Sequence, residues 1–319
     1  MMGLWVEDGR PRLRDDIPLP VAPAGWALVA ITTAGICGTD LQILRGYAGF
    51  TGVLGHEFVG RVVDGSPQWL DRRVVGEINV GCGRCARCLA SDGGHCASRQ
   101  VLGIRDLNGA FAEFLVLPER NLHAIPDSVT DEEAAFVEPL AAALRIAEQV
   151  EIPASARLLV VGDGRLGQLA ARALHAAGHH VEVAGRHASK LGRLQRLGIT
   201  LSSRGACDYD LAIECTGSPT GFAAALEALR PRGTLVLKST YAAPLHLNSS
   251  AIVVNEIQVV GSRCGPFAPA LQALADHTVP VADLVDATYP LEEARRALAK
   301  AMEPGVIKVQ IVQKSLQNP

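Results

Sequence analysis

The chain has 319 residues and a formal net charge of −3, with 48% hydrophobic and 20% charged residues. This length suggests two domains, and the apolar content excludes a disordered chain. The 30 Lys and Arg residues are balanced by 33 Asp and Glu, which leaves no basic excess for nucleic acid. The sequence contains no run of about 18 apolar residues and no cationic, apolar start of a signal peptide. We therefore expect a soluble, cytosolic protein with neither membrane nor nucleic-acid partners.

Apolar runs broken by Gly, Pro and Asp extend from Leu28 to about Leu122 and predict an antiparallel barrel or sandwich. Residues 131–150 show helical spacing, which Pro139 should break or kink. After Pro153, alternating strands and helices predict a parallel sheet of at least five strands. The predicted later elements are strands at 157–161, 180–184, 211–215, 234–239, 257–262 and 306–312, and helices at 166–177, 189–197, 219–229 and 291–302. We expect the last strand to return to the first domain.

Four of the eight cysteines form a cluster with C-x2-C-x2-C-x7-C spacing: Cys82, Cys85, Cys88 and Cys96. In a reducing compartment, four thiolates at such short spacings can complete a closed tetrahedral zinc site of structural type. The alternatives are two disulfides or unpaired surface thiols. A closed site offers no open position to a substrate, so any chemistry must occur elsewhere.

A more dispersed set of possible metal ligands comprises Cys37, His56, Glu57 and Glu138. Singly, each has an ordinary explanation, because a lone Cys is most often a small buried hydrophobe.

A glycine-rich segment is more distinctive, since its G-x-G-x-x-G pattern follows the apolar run LLVV and opens a helix. Such glycines permit a tight turn and a close approach of a pyrophosphate to the backbone, which predicts dinucleotide binding. Its residues are Gly162, Gly164, Arg165, Leu166 and Gly167.

Seven segments, in order along nearly the whole chain, resemble the zinc-dependent medium-chain dehydrogenases/reductases, which include alcohol, sorbitol and threonine dehydrogenases. They are GICGTDLQILRG, LGHEFVGRVV, the four-cysteine lobe, FVEPLAAAL, VVGDGRLGQLAARAL, YPLEEARRAL and VIKVQIV. The resemblance implies a GroES-like β-barrel catalytic domain at 1–145, with 281–319 returning to it. It also implies a Rossmann domain with a doubly wound parallel sheet at 146–280, and a homodimer or homotetramer.

The resemblance assigns roles to the dispersed residues. Cys37 and His56 match the family's zinc ligands, and Glu138 falls where the third protein ligand arises. Glu57 matches an acidic neighbour that coordinates zinc in some members, and the choice between the two glutamates stays open. The Glu-Pro-Leu segment that begins at Glu138 is similar to the polyol and threonine branch. Three protein ligands leave an open position at which zinc acts as a Lewis acid.

Thr39 resembles the family hydroxyl that passes on the alcohol proton, and Asp40 resembles the carboxylate that orients the histidine ligand. Each could otherwise be an ordinary turn or cap residue. Gln42 stands where many alcohol dehydrogenases carry a histidine of the proton relay. Because Gln cannot titrate, the route beyond Thr39 stays open.

The choice of cofactor depends on the segment VEVAGRHASKL. Aligned with the family, Gly185 occupies the position of the acid that binds the ribose of NAD. Arg186 and His187 follow it, and a small residue followed by cations suits a 2′-phosphate, so we predict NADP rather than NAD. The alternatives are that Glu182, within the strand, serves as the NAD acid, or that the two cations are solvated loop residues. Two further residues resemble segments that line the nicotinamide but could be plain strand-end turns: Thr216 and Ser262.

These observations predict a zinc-dependent oxidoreductase with one catalytic and one structural zinc. It would transfer a hydride between NADP(H) and a secondary alcohol or ketone, possibly a polyol, sugar or amino alcohol. One alternative is a catalytically silent nucleotide-sensing or interaction protein of the same fold. Another, a zinc-finger-like nucleic-acid module, rests on the cysteine lobe alone and conflicts with the charge balance.

Overall fold

A computed structural model describes residues 1–203, 205–241, 244–245, 247 and 249–313. The chain divides into two compact units. The first unit comprises residues 1–138, 267–276 and 284 onward, and the second comprises residues 139–266 and 277–283. Within the described ranges, every helix is too short or too polar to cross a membrane.

The strands, numbered along the chain, are β1 (Gly3–Glu7), β2 (Arg10–Arg14), β3 (Trp26–Gly35), β4 (Gly52–Val53), β5 (Glu57–Asp64), β6 (Arg73–Gly76), β7 (Asn79–Val80), β8 (Gln100–Leu102), β9 (Asp106–Leu107), β10 (Phe114–Pro118), β11 (Leu122–Ala124), β12 (Arg157–Val161), β13 (His180–Ala184), β14 (Thr200–Leu201), β15 (Tyr209–Glu214), β16 (Leu229–Leu237), β17 (Gln258–Gly261), β18 (Val285–Pro290) and β19 (Lys308–Val312). The helices are α1 (Gly38–Ile43), α2 (Ala86–Leu89), α3 (Asp131–Ala134), α4 (Val137–Gln149), α5 (Arg165–Ala176), α6 (Ala188–Gln195), α7 (Pro219–Glu227), α8 (Ser249–Val254), α9 (Phe267–Ala275) and α10 (Ala294–Ala301).

The largest sheet of the first unit is built around β3, whose apolar sequence WALVAITTAG is mostly buried. The strand order is β11-β6-β5-β3-β19-β18, and β10 also pairs with β3. All pairs except β18 with β19 are antiparallel. The closing strand β19 therefore lies between β3 and β18, and two smaller sheets, β2-β1-β4 and β7-β8-β9, complete the unit.

The sheet of the second unit has six parallel strands in the order β14-β13-β12-β15-β16-β17. This order confirms the predicted doubly wound parallel sheet. The chain direction across the sheet reverses between β12 and β15, and ligands of such sheets bind at this switch point, beyond the carboxyl ends of the strands. The glycine-rich turn directly follows β12, so the topology places it at that point.

The predicted helix at 131–150 is two helices, α3 and α4, and the break at residues 135–136 comes before Pro139. Pro139 lies in the first turn of α4. Backbone N–H groups there have no acceptor within the helix, so the proline, which lacks an N–H, costs no hydrogen bond. The first helix has its own cap, because Thr130 Oγ1 accepts the Glu133 N–H and the Glu133 carboxylate accepts the Thr130 N–H. The segment is interrupted, but the prediction that Pro139 breaks it is wrong, because the break precedes α4 and the first turn of that helix accommodates the proline.

An ion pair between a buried arginine and a partly exposed aspartate fastens α5 within the second unit. The Arg172 side chain is 1% exposed and donates to both oxygens of Asp283, at 2.5 and 2.8 Å, and to Pro280 O at 2.6 Å. Partial burial opposes ionisation of Asp283, but its hydrogen bonds with Arg172 outweigh this and lower the pKa of the carboxyl. The pair stabilises the folded state while Asp283 is charged.

We expect Asp283→Asn to lower the free energy of unfolding at pH 7 by about 1–2 kcal/mol, a figure reduced for the solvent exposure of Asp283. Since the folded-state pKa is depressed, this contribution is complete above the unfolded pKa of about 3.9 and is lost as the pH falls through the lower folded value. Urea unfolding at several pH values checks this, with the exposed Asp127→Asn as control. A difference from the wild type that is unchanged at pH 3 would contradict the ion-pair account.

Candidate metal and dinucleotide sites

The ends of β3 and β5 bring three predicted ligands together in the first unit. Cys37 lies two residues after β3, and His56 immediately precedes β5, which begins at Glu57. One ligand atom each of Cys37, His56 and Glu57 lie within 4.8 Å of one another. Gly35 pairs with Glu57, and a Cβ at Gly35 would overlap the Glu57 carboxylate. This close approach of the two strands explains why a glycine ends β3.

Asp40, in the first turn of α1, faces both Cys37 and His56. Its Oδ2 accepts the Cys37 N–H at 2.8 Å, and its Oδ1 lies 3.3 Å from His56 Nδ1. This pairing leaves His56 Nε2 as the nitrogen available to a metal. Burial disfavours a charged imidazole, but the charges of Asp40 and Cys37 outweigh it and raise the pKa of His56 well above its ordinary value. The negative charges of Asp40 and Cys37 would therefore favour a cation at this position.

A buried cation compensates the charge of Glu57. Lys308 Nζ contacts Glu57 Oε2, and the side chains of the two residues are 2% and 1% exposed. The same ammonium group lies 5.3 Å from the centre of the Phe136 ring. Lys308 was not predicted from the sequence, because nothing in VIKVQIV indicates a partner 251 residues away.

Of the other predicted active-site residues, Thr39 directly neighbours this cluster. Thr39 Oγ1 is 3.8 Å from Cys37 Sγ, which places the hydroxyl next to a candidate ligand. Gln42 is half-buried on α1. Glu138 is half-buried in the first turn of α4, and it is not part of the group formed by Cys37, His56 and Glu57.

The four clustered cysteines converge as predicted from their spacing. All four Sγ atoms lie within 4.8 Å of one another, and the individual separations include 3.5 Å for Cys85 to Cys88 and 3.7 Å for Cys85 to Cys96. A tetrahedral zinc with Zn–S bonds of about 2.3 Å requires sulfur separations of about 3.8 Å. Backbone N–H groups of Arg84 and Cys85 lower the pKa of the Cys82 thiol to about 6, which favours a thiolate. All eight cysteines of the chain are free thiols.

The glycine-rich turn has the conformation its sequence requires. Gly162 has a φ of +123°, and its N–H donates to Ala184 O at 2.8 Å. A Cβ at Gly167 would overlap Gly162 O, so α5 packs against the turn only with a glycine there. Helix α5 begins at Arg165, with Gly164 as its N-cap. Its first backbone N–H groups form the kind of site that binds the pyrophosphate of a dinucleotide.

At the end of β13, Gly185 and Arg186 are exposed and His187 is half-buried. Glu182, the alternative NAD acid, is engaged elsewhere. Its Oε2 accepts the Tyr209 hydroxyl at 2.7 Å, and its Oε1 lies 3.4 Å from Arg157. Since Arg157 and Tyr209 begin β12 and β15, these partners hold Glu182 toward the end of the sheet opposite the glycine-rich turn.

Two buried charged residues that the sequence analysis missed organise the strand ends that carry Thr216 and Ser262. Glu214 is 0% exposed, and its Oε1 accepts both the N–H and the hydroxyl of Thr216 at 2.5 Å. Lys238 Nζ donates to Ser262 Oγ at 3.0 Å and to Ala142 O at 2.6 Å. Burial and Glu214 raise the pKa of Cys215 to about 12, so this thiol stays neutral.

Comparison with known proteins places this geometry in a family. Residues 23–127 match the model of the alcohol dehydrogenase GroES-like domain, and residues 166–277 match that of the zinc-binding dehydrogenase. The chain is 28% identical to sorbitol dehydrogenase from Halalkalibacterium halodurans, over 92% of this chain and 93% of that one. It is 30% identical to L-threonine 3-dehydrogenase from Chelativorans sp., over 74% and 73% of the two chains.

Among solved structures, alcohol dehydrogenase from Thermus sp. ATN1 superposes with a TM-score of 0.87 and is 25% identical, with 98% of this chain and 100% of that chain covered. The fold and the motifs thus define a dehydrogenase built from a GroES-like domain and a Rossmann-like domain. The chain belongs to the zinc-type medium-chain dehydrogenase/reductase family. This result confirms the family and the fold class predicted from the motifs.

Proposed function

We propose that this protein transfers a hydride between NADP(H) and a secondary alcohol or the corresponding ketone, with a polyol, sugar or amino alcohol as substrate. The observation that carries the proposal is the cluster of Cys37, His56 and Glu57 with Asp40 behind the histidine. The Glu-Pro-Leu segment at Glu138 and the similarity to a sorbitol and a threonine dehydrogenase support the substrate class.

The donors present fit two zinc ions. A thiolate, an imidazole and a carboxylate within 4.8 Å of one another are ligands that zinc accepts in catalytic sites, and the four thiols suit a closed structural site. Cys37 and His56 would hold the catalytic ion, with Glu57 or Glu138 as the acidic ligand. Bound there, zinc supplies a Lewis acid for the substrate oxygen, and the nicotinamide supplies the hydride acceptor or donor.

The chain's own residues prepare this chemistry. Asp40 Oδ1 faces His56 Nδ1 at 3.3 Å, and this carboxylate would orient the imidazole and set the tautomer of a ligating histidine. Thr39, next to Cys37 Sγ, is the hydroxyl that would accept the proton of the substrate alcohol. Lys308 holds Oε2 of Glu57, so only Oε1 of that carboxylate is available to a metal.

The proposed use of NADP rests on the loop after β13. Gly185 carries no carboxylate that would repel a 2′-phosphate, and Arg186 is an exposed guanidinium one residue further on. A guanidinium offers a planar fork of N–H donors that matches the geometry of a phosphate. The engagement of Glu182 by Tyr209 supports the same choice, because it removes the competing acid.

We expect Arg186→Ala to weaken NADPH binding by about 10- to 100-fold, because a charge-assisted, bidentate contact is lost. NADH binding should change less than about twofold, since NADH has no 2′-phosphate for the guanidinium to contact. Fluorescence titration of both cofactors measures this, with Arg193→Ala on α6 as the matched control. Equal weakening of both cofactors would contradict a phosphate-specific role.

The experiment that tests the proposed function combines elemental analysis with cofactor titration and a substrate panel on one preparation. We expect two zinc ions per chain, tighter binding of NADPH than of NADH, and zinc-dependent oxidation of a polyol, sugar or amino alcohol. One chelation-resistant zinc with no turnover of any alcohol or carbonyl compound would contradict the proposal and favour a catalytically silent nucleotide-binding protein.

We also propose a homodimer or homotetramer in the cytoplasm. Among the described residues, β17 has a strand partner on one side only and exposes Val259, and α8 exposes Val253 and Val254. An apolar edge strand of this kind offers unpaired backbone groups to which another chain can add. A reducing compartment suits the eight free thiols. Light scattering that gave the mass of one chain would contradict the proposed assembly.

A further inference from the structure

Asp163 ties the glycine-rich turn to the loop at the end of β13. This residue stands between the first two glycines of the motif and is 7% exposed. Its Oδ2 accepts the backbone N–H of Arg186 at 2.6 Å and that of His187 at 2.7 Å. Its Oδ1 lies 3.0 Å from Nδ1 of the His187 ring. One carboxylate therefore fixes both the backbone and a side chain of the loop.

Asp163 also determines what can occupy position 185. A Cβ at Gly185 would lie 2.7 Å from both Cβ and Oδ2 of Asp163, and 2.8 Å from Leu191 Cδ2. Any side chain at this position requires Asp163 to move. An acidic side chain, which dinucleotide folds use here to bind the ribose of NAD, would in addition bring two carboxylates together. Asp163 and an acid at 185 therefore exclude each other.

Further hydrogen bonds make the turn and the loop a single assembly. The Gly162 N–H donates to Ala184 O, and the fully buried Gln168 donates to Lys190 O at 2.9 Å. Burial opposes ionisation of Asp163, but the N–H groups of His187 and Arg186 outweigh it and lower the pKa of the carboxyl. Asp163 is therefore an anion at neutral pH, and its charge is directed at these donors.

We propose that Asp163 is a positioning residue for cofactor choice, which fixes the loop so that the Arg186 side chain meets the phosphate monoester on the adenosine ribose. The backbone N–H groups at 186 and 187 are directed at Asp163, so they do not serve ribose hydroxyls or a phosphate. Recognition then falls to the exposed guanidinium. This inference rests on the proposed use of NADP. It assigns the conformation of the loop after β13 to Asp163 in the glycine-rich turn, rather than to the residue at position 185.

The test titrates full-length Asp163→Ala and Asp163→Asn with NADPH, NADH, 2′,5′-ADP and 5′-AMP. We expect Asp163→Ala to weaken NADPH and 2′,5′-ADP by about 10-fold and to change NADH and 5′-AMP by less than about twofold. Asp163→Asn keeps one acceptor oxygen and should recover part of the loss. Arg186→Ala should weaken NADPH less in the Asp163→Ala background than in the wild type, because the guanidinium is no longer held in place.

A second pair of variants tests the exclusion at 185. Gly185→Asp alone should weaken the binding of NADPH without improving the binding of NADH. The double variant Asp163→Ala with Gly185→Asp should bind NADH more tightly than Gly185→Asp does.

Equal weakening of NADPH and NADH binding by Asp163→Ala would show a merely structural role and overturn the inference. Tighter NADPH binding would overturn it too, because the carboxylate would then act by repulsion. A wild type that prefers NADH refutes the proposed NADP use, whereas a wild type that prefers NADPH with no effect of Asp163→Ala refutes this inference alone.

Discussion

His56→Ala is expected to lower kcat/KM by at least about 1000-fold and to reduce the zinc content from two ions per chain to one. His56 is 3% exposed, and it is the one imidazole in the group with Cys37 and Glu57. Its removal leaves a thiolate and carboxylates, of which Glu57 is already in contact with Lys308. The affinity for NADPH should stay within about twofold of the wild type, because the dinucleotide residues belong to the second unit.

Two control variants make this result specific. His175→Ala removes an exposed histidine from α5 and should retain both zinc ions and full turnover. Cys85→Ser should also reduce the zinc content by one, but with a lower melting temperature, because a structural zinc contributes to folding. A His56→Ala protein with two zinc ions or near-normal turnover would refute the site built on Cys37 and His56.

The fold was predictable in outline where strands and helices alternate, although the helix at 267–275 and the strand at 285–290 were missed. The alternation after Pro153 predicted the parallel sheet, and the strands at 157–161 and 180–184 begin and end as predicted. The strand at 200–201 was missed, because two residues have no recognisable period. The hairpin of β1 and β2 was also missed, although its Asp8-Gly9 turn carried a signal. Both turn residues have positive φ, of 50° and 70°, as a tight hairpin with an Asp-Gly turn requires.

The candidate site was predictable only as residue types. The sequence singled out Cys37, His56 and Glu57, but the register of β3 against β5 is what places their ligand atoms together. Lys308 could not be found, because an alternating strand suggests that its polar residue faces water. In the structure β19 lies between β3 and β18 and residues 308–311 are all buried, so the Lys308 ammonium needs an acidic partner.

Lys308→Met is expected to lower the free energy of unfolding by about 3–5 kcal/mol, because it leaves the buried carboxylate of Glu57 without its counter-charge. Methionine retains most of the apolar stem, so the loss reports mainly on the charge. Glu57→Gln together with Lys308→Met removes both charges and should recover most of this loss. Urea unfolding of each variant, with and without saturating zinc, separates the ion pair from metal binding, since a ligand specific to the folded state adds its own stabilisation.

The matched control is Lys300→Met, which breaks the surface pair between Lys300 on α10 and Glu303 just after that helix. That change should leave the free energy of unfolding nearly unchanged, because water screens exposed ion pairs. The contrast between the two lysines tests the burial of Glu57 directly. If Lys308→Met cost no more than Lys300→Met, Glu57 would not carry a buried charge, and its Oε2 would be available as a metal ligand. A large loss that the double variant fails to recover would instead assign the role of Lys308 to its packing against Phe136.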